Sequence, residues 1–546
     1  MEGVNVKENY AEAEKYLKKY LSDYPHAKNR KEALLLFAET AYKNNRYEDA
    51  LIRYKNVVKE FPHTDEAKLA ILGEGWSLSK LGRDKEAYKI LKKAQAVEKK
   101  KDFIVLGDAA YNAGNFNEAI ANYRKALQEQ GRREIALLKI GNTYFRIKQY
   151  EKAINTYNVL VKDFPMGDFA PNAFLKKAEA LRKLGKYKKS NEVLKSLRKL
   201  YPTCELIARS FLISGDNYFD IGAFSDAKTS YQKVVSMLEL PKDTFAIVPI
   251  GGIMKCIQKM DGEKRAAKFA DTYIKRFSGT YLGEKIKMLK ADMYYYAGKI
   301  KQAEAGYNEV LENRLKPKAL YYQAKCLQSL GENAKAENRL KMILNLFPDS
   351  KIASNASLLL AKLLFEDKEY SRSLKLLEGY KQLNSDEDFE IAIIKAKLYL
   401  KLNYKNKAVE ILKNVKDRTK GKWKAQALLL LGQIMTLDQK LNDALSFYDE
   451  AIETGVEELV PEAYFMKGKI LKKQGKSKDA LKIFLMIKYN LPESSYKTRA
   501  LFEAAEITME LGKTQDAISL YKQVIERNDD KKLTAQAKDR LRTLNP

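Results

Sequence analysis

The sequence predicts an all-α solenoid of antiparallel helix pairs, and three observations predict it. An alanine or serine recurs with a mean step of 36 residues over 504 residues, and a second small residue stands twelve positions before it. The composition is that of a helix former, 45% hydrophobic and 31% charged with only 27 glycines and 12 prolines. A chain of 546 residues would ordinarily divide into several globular domains. A stacked repeat escapes that division because its core lengthens with every unit added.

The recurring residue serves as an anchor at the opening of the second helix of each pair: Ala13, Ala50, Ala87, Ala119, Ala153, Ser190, Ala227, Ala266, Ala303, Ala336, Ser373, Ala408, Ala444, Ala480 and Ala517. Twelve residues earlier, on the first helix, thirteen of fourteen repeats carry Gly or Ala, from Ala38 and Gly75 through to Gly468 and Ala505. Two small residues facing each other let paired helices approach closely. Four residues after the anchor, one turn along the same face, comes a large apolar side chain such as Tyr54, Tyr123, Tyr157, Tyr231, Tyr307, Tyr448, Phe484 or Tyr521. That column is the expected core.

Stops follow the same register. Five residues before the anchor a glycine often closes the first helix, as at Gly82, Gly114, Gly185, Gly222, Gly298, Gly331, Gly475 and Gly512, where a left-handed residue costs least without a Cβ. Twelve after the anchor, Pro25, Pro62, Pro165, Pro202, Pro348 and Pro492 end the second helix, because proline cannot continue one. Each unit reads helix, turn, helix, stop.

The stretch from Leu106 to Leu127, LGDAAYNAGNFNEAIANYRKAL, resembles the tetratricopeptide repeat almost residue for residue, and Ile140 to Pro165 is nearly as close. The resemblance runs from Ala11 to about Asn528 and implies a right-handed superhelix of about fourteen repeats. The Phe-Pro and Tyr-Pro endings, such as Phe61-Pro62 and Phe164-Pro165, are similar to those of bacterial envelope proteins, among them the Tol-Pal cell-division coordinator and the outer-membrane assembly lipoprotein.

The weakest unit surrounds Ala266, where Met254 replaces the small residue and Pro241, Pro249, Gly251 and Gly252 interrupt the pattern. The expected plan is therefore an array over 1–237, an irregular repeat and hinge over 238–262, a second array over 263–528, and a capping helix over 529–546. In that last helix Leu533, Ala537, Leu541 and Leu544 share one face. An acidic turn is expected at Asn384 to Asp388. Ala13 has too few residues before it for a full leading helix, so the chain is expected to open inside or just before a repeat; an upstream signal or anchor would make it periplasmic or envelope-associated, and otherwise it would be cytoplasmic.

The resemblance also implies where a ligand sits: the first helices line a concave groove, into which the residues eleven and eight before each anchor look. Eight before stand Tyr42, Tyr111, Phe145, Phe219, Tyr295 and Phe365, an aromatic ladder that would supply large buried area to a bound peptide. Eleven before, the sign changes along the array, from Glu39, Asp108, Asn142, Glu179 and Asp216 to Lys325, Lys362, Lys397 and Lys469. One end would then prefer basic segments and the other acidic ones.

The reading is a non-enzymatic scaffold for protein or peptide segments, with no cofactor implied. Only two histidines are present, His26 and His63, in equivalent turns of successive repeats, which makes them echoes of the repeat rather than ligands or catalysts. Gly475-Lys476-Ser477 and Gly512-Lys513-Thr514 lack the upstream glycine of a phosphate loop, with Ile470 and Ile507 in its place, and stand in helix-helix turns. Cys204, Cys256 and Cys326 are too few and too scattered for a disulfide framework and are expected to be buried. No apolar run is long enough to span a membrane. The net charge of +29 leaves a nucleic-acid-binding helical repeat as the alternative, but the Lys and Arg are spread rather than clustered.

Overall fold

The structure, a computed structural model, describes residues 2–97, 102–379 and 385–544. Among them stand thirty α-helices and one 3-10 turn, and no strand. The chain divides into two compact units, Met1–Leu289 and Lys290–Pro546, the division falling inside the helix Tyr281–Tyr296.

Each unit is a row of antiparallel helix pairs in which sequence neighbours pack on one another, from Glu2–Asp23 to Glu263–Arg276 in the first and from Ile300–Asn308 to Lys531–Leu544 in the second. The first begins with the helix Glu2–Asp23 and continues through seven pairs, from Arg30–Lys43 with Tyr47–Glu60 to Ile247–Asp261 with Glu263–Arg276. The second runs from the pair closed by Ile300–Asn308 to Tyr496–Glu510 with Thr514–Arg527, and finishes on the helix Lys531–Leu544. Fourteen anchors, from Ala50 to Ala517, lie near the start of second helices, all of them buried. Ala13 does not: it sits in the middle of one unbroken 22-residue helix, with no turn before it. The expected cap over 529–546 is the helix Lys531–Leu544, with Ala537 buried and Leu533, Leu541 and Leu544 packed on the last repeat.

The small residue twelve before the anchor has a measurable reason. A Cβ added at Gly141 would lie 2.4 Å from the ring of Tyr157, and one at Gly107 2.3 Å from that of Tyr123. The large side chain four after the anchor therefore lies flat over the small position of its partner helix. Where serine replaces the anchor alanine, its hydroxyl donates to the carbonyl of that same small residue: Ser190 to Ala178 at 2.8 Å and Ser373 to Ala361 at 2.6 Å. The exception to alanine thus costs no unsatisfied polar group.

The stops behave as expected. Each of the six prolines lies two residues beyond the last residue of its helix, as with Glu60 before Pro62 and Asp163 before Pro165. All eight closing glycines have positive φ, near 71–83°. Five of the six repeats without glycine there use the same backbone, at Asn45, Lys148, Lys368, Asn403 and Gln439, with φ between 59° and 65°, while the Ala266 repeat keeps Asp261 in the helix and turns at Gly262 with φ 82°. Geometry, not composition, is the constant.

Two details differ from the sequence reading. Asn384 lies outside the described residues, and Asp386–Asp388 are not a turn but the first turn of the helix Asp386–Lys401; Ser385 and Asp388 close a capping box there, each side chain accepting from the other's backbone N–H. Cys256 and Cys326 are buried, their thiols pushed up to about 11 by that burial, but Cys204 is only half-buried. Segment 238–262 lies within the first unit and holds the 3-10 turn Thr244–Ala246 and the helix Ile247–Asp261, whose Ile250, Ile253 and Met254 are buried.

Candidate partner-binding face

Bonds between successive first helices define a face. Asp108 takes the ammonium of Lys139 at 2.7 Å and Glu179 the guanidinium of Arg209 at 2.7 Å; Lys362 reaches Glu390 at 2.6 Å and Lys469 reaches Glu503 at 3.3 Å. In each pair the residue eleven before one anchor meets the residue fourteen or eighteen before the next. These three positions are one turn apart on a helix, so they lie on one face, and within each unit that face continues from one first helix to the next.

The change of sign along the minus-eleven column has a cause in the core. In five of the seven repeats where the residue four after the anchor is a buried tyrosine, the minus-eleven residue accepts from its hydroxyl; Tyr448 lies 3.4 Å from Thr436 instead, and no such bond joins Tyr54 to Glu39. Tyr123 donates to Asp108 at 2.6 Å, Tyr157 to Asn142 at 2.8 Å, Tyr231 to Asp216 at 2.7 Å and Tyr307 to Asp292 at 2.7 Å; Tyr521 donates to Glu506. Where that core residue is Leu340, Leu377, Leu412 or Phe484 there is no hydroxyl, and lysine stands at minus eleven, Lys325, Lys362, Lys397 and Lys469; the Ser190 repeat departs from this, with Glu179 at minus eleven and Leu194 in the core. Asp108, Asp216, Asp292 and Glu506 are structural acceptors as well as surface charges. The lysines are free of that duty.

The six rings eight before the anchors are half-buried. Five pair edge to face with the aromatic residue that opens the second helix of the same repeat: Tyr42 with Tyr47, Tyr111 with Phe116, Phe145 with Tyr150, Phe219 with Phe224 and Phe365 with Tyr370, centroids 5.2–5.5 Å apart. Tyr295 instead meets Tyr307 of its own repeat and Tyr322 of the next first helix. The ammonium of Lys325 lies 5.6 Å from the Tyr295 ring and 5.7 Å from that of Tyr322.

Two models of repeat families match this architecture, one described as tetratricopeptide repeat-like domain over residues 316–469 and one as tetratricopeptide repeat over 499–530. This is a tetratricopeptide-repeat protein. A third model, described as outer membrane lipoprotein, matches residues 4–197 of the repeat array. Tetratricopeptide repeat protein 21B of Mus musculus is 25% identical over 237 residues, which are 43% of this chain and 17% of that protein. The chain thus spans less than a fifth of the length of the curated relative it matches. Among solved structures, a tetratricopeptide repeat protein from Parabacteroides merdae is 16% identical, covering 48% of this chain and 98% of that one with a TM-score of 0.35. Yeast Tom70 is 16% identical, covering 81% and 94% with a TM-score of 0.37.

The tetratricopeptide register also points to residues that the column reading passed over. Trp76 stands at minus eleven in the Ala87 repeat and is 42% exposed; Leu69, at minus eighteen of the same helix, is 53% exposed, and Leu36, at minus fourteen of the preceding first helix, 50%. One of only two tryptophans in the chain, placed in the groove column and left half in water, was visible in the sequence. Among the described residues no group of three His, Cys, Asp or Glu side chains is placed to hold a metal ion, and no helix is long and apolar enough to cross a membrane.

Proposed function

We propose that these repeats hold segments of partner proteins along the continuous face of their first helices, within a multiprotein assembly of the cell envelope. Tetratricopeptide repeats generally act as protein-interaction scaffolds. The observation that carries the reading for this chain is a face of first helices that leaves large apolar side chains, Leu36, Leu69 and Trp76, in water beside charged ones. A tryptophan half in solvent is the residue type that anchors interfaces. The six half-buried rings from Tyr42 to Phe365 wall that face, and Lys325, Lys362, Lys397 and Lys469 give part of it a positive edge. The match to the outer membrane lipoprotein model supports the envelope setting.

Photo-crosslinking tests this directly. A photoreactive residue placed at Trp76 or Lys397, on first helices, is compared in the native cell with one at Ile52 or Lys482, exposed on second helices. Defined protein adducts from the first pair and not from the second are expected. Adducts that nuclease removes, or protein adducts from the second pair alone, would overturn the reading.

A further inference from the structure

We infer that the second unit, Lys290–Pro546, takes an extended partner segment in which apolar and acidic residues recur together about every three positions. This rests on the groove reading above and names the class of segment. Five consecutive first helices place an apolar residue fourteen before the anchor: Tyr322, Leu359, Ile394, Leu430 and Met466. All five are half-buried: Leu359, Ile394, Leu430 and Met466 pack on core clusters, and Tyr322 stacks on the ring of the buried Tyr307. In the first unit the same column is broken by Gly73, Lys139 and Lys176. The apolar stripe therefore belongs to the second unit.

One turn along the same helices runs the lysine column, on the same face as the stripe. Lys397, exposed, and Lys401, exposed one turn further, have no ion pair among the described residues. Lys325 lies over tyrosine rings rather than against a carboxylate. Of the carboxylates on this face, Glu390 is held by Lys362, and Glu462 is half-buried, its carboxyl raised above the usual range by that burial although the charge of Lys397 draws it back down. Glu366, one turn beyond Lys362, and Glu510, in the same place on the last first helix, are exposed, and Glu503 of that helix is held by Lys469 and Lys472. Lys362 and Lys469 are matched by Glu390 and Glu503, so the positive charge left over on this face is that of Lys325, Lys397 and Lys401, and its complement is apolar and acidic.

The spacing follows from helix packing. Packed helices lie about 8–10 Å apart, and first helices of this unit pack on one another at Ala353–Glu366 with Asp386–Lys401, Asp386–Lys401 with Gly421–Leu437, and Val460–Lys473 with Tyr496–Glu510. A polyproline-type chain has three residues per turn and rises about 3.1 Å per residue, so it brings the same side of the chain round every ~9 Å. One apolar side chain and one carboxylate per three residues would then meet one helix each.

The test uses the full chain and three fluorescein-labelled synthetic peptides: five repeats of Ser-Leu-Glu, of Ser-Leu-Lys, and of Ser-Ser-Glu. Fluorescence anisotropy should give the first an affinity at least tenfold above either control, falling as salt rises. The double variant Lys397→Glu with Lys401→Glu, at exposed and unpaired positions, should lose that affinity at least tenfold and gain affinity for the lysine peptide. Equal or tighter binding of the lysine peptide by the native chain, no binding of the acidic one, or an unchanged affinity in the double variant would each overturn the inference. Crosslinks from Lys397 separate this failure from that of the groove itself. Adducts to basic or uncharged segments, or to a second copy of the chain, overturn the acidic class while leaving the first-helix face a binding surface; no protein adduct from Trp76 or Lys397 removes the groove reading as well.

Discussion

At the scale of single residues the repeat tolerates variation wherever a second solution to the same physical demand exists. The turn between paired helices needs a left-handed residue, and glycine meets it at eight closing positions, while Lys148 meets it with φ 62°. A non-glycine residue in that region costs roughly 1–2 kcal/mol, whereas glycine costs roughly 0.5–1 kcal/mol in lost chain entropy. Lys148→Gly should therefore stabilise the protein by about 0.5 kcal/mol or slightly more, read as a higher denaturation midpoint at unchanged slope. Serine for alanine at the anchor is tolerated on similar grounds, because its hydroxyl reaches the partner helix's carbonyl.

At the scale of the helix pair, the buried tyrosine and its acceptor form one device. Tyr231 is 4% exposed and lies against Gly215 and Gly252, and its hydroxyl reaches Asp216 at 2.7 Å. Asp216→Ala strands that hydroxyl, at a cost of about 1–3 kcal/mol. In a Tyr231→Phe background the same change removes nothing from the core and should cost little. The double-mutant cycle is therefore expected to give a coupling of about 1 kcal/mol or more, measured by chemical denaturation. Additive effects would show that the minus-eleven acids serve only the surface, and the account of the sign change would fall. The same logic explains why lysine enters that column at Lys325, Lys362, Lys397 and Lys469, opposite leucine or phenylalanine.

At the scale of the whole molecule, helices within each unit pack on their sequence neighbours, so stability is a sum of local terms and nearest-neighbour interfaces. Gly141→Val would drive side-chain atoms into the Tyr157 ring, 2.4 Å from where even a Cβ would stand, at a cost of about 1–3 kcal/mol or more. Hydrogen exchange should then show lost protection in the helices Arg133–Arg146 and Tyr150–Asp163 and their neighbours, with protection in the helices of the second unit unchanged. Uniform loss across both units would mean that the array melts as one cooperative body.

The repeat register was legible in the sequence because close packing leaves few choices. A ring such as Tyr157 needs a small residue beneath it, a closed turn needs a left-handed residue, and proline ends a helix; each demand acts within one repeat, so each leaves a mark at fixed spacing. These local demands determined the fourteen pairs, their turns and the capping helix. What the tertiary structure alone decided is the direction of side chains whose identity fits two roles. Asp108 and Asp216 read as groove charges in sequence, and only the structure shows that they also accept from buried tyrosines. The aromatic ladder likewise splits into edge-to-face pairs within repeats, leaving half-buried rings rather than bare platforms. The face made by the minus-eighteen, minus-fourteen and minus-eleven positions is set by contacts between successive first helices, some thirty residues apart in the chain, as in Lys139 with Asp108. Periodicity within one helix says which residues share a side; only stacking says which side meets the neighbour and which is left for a partner.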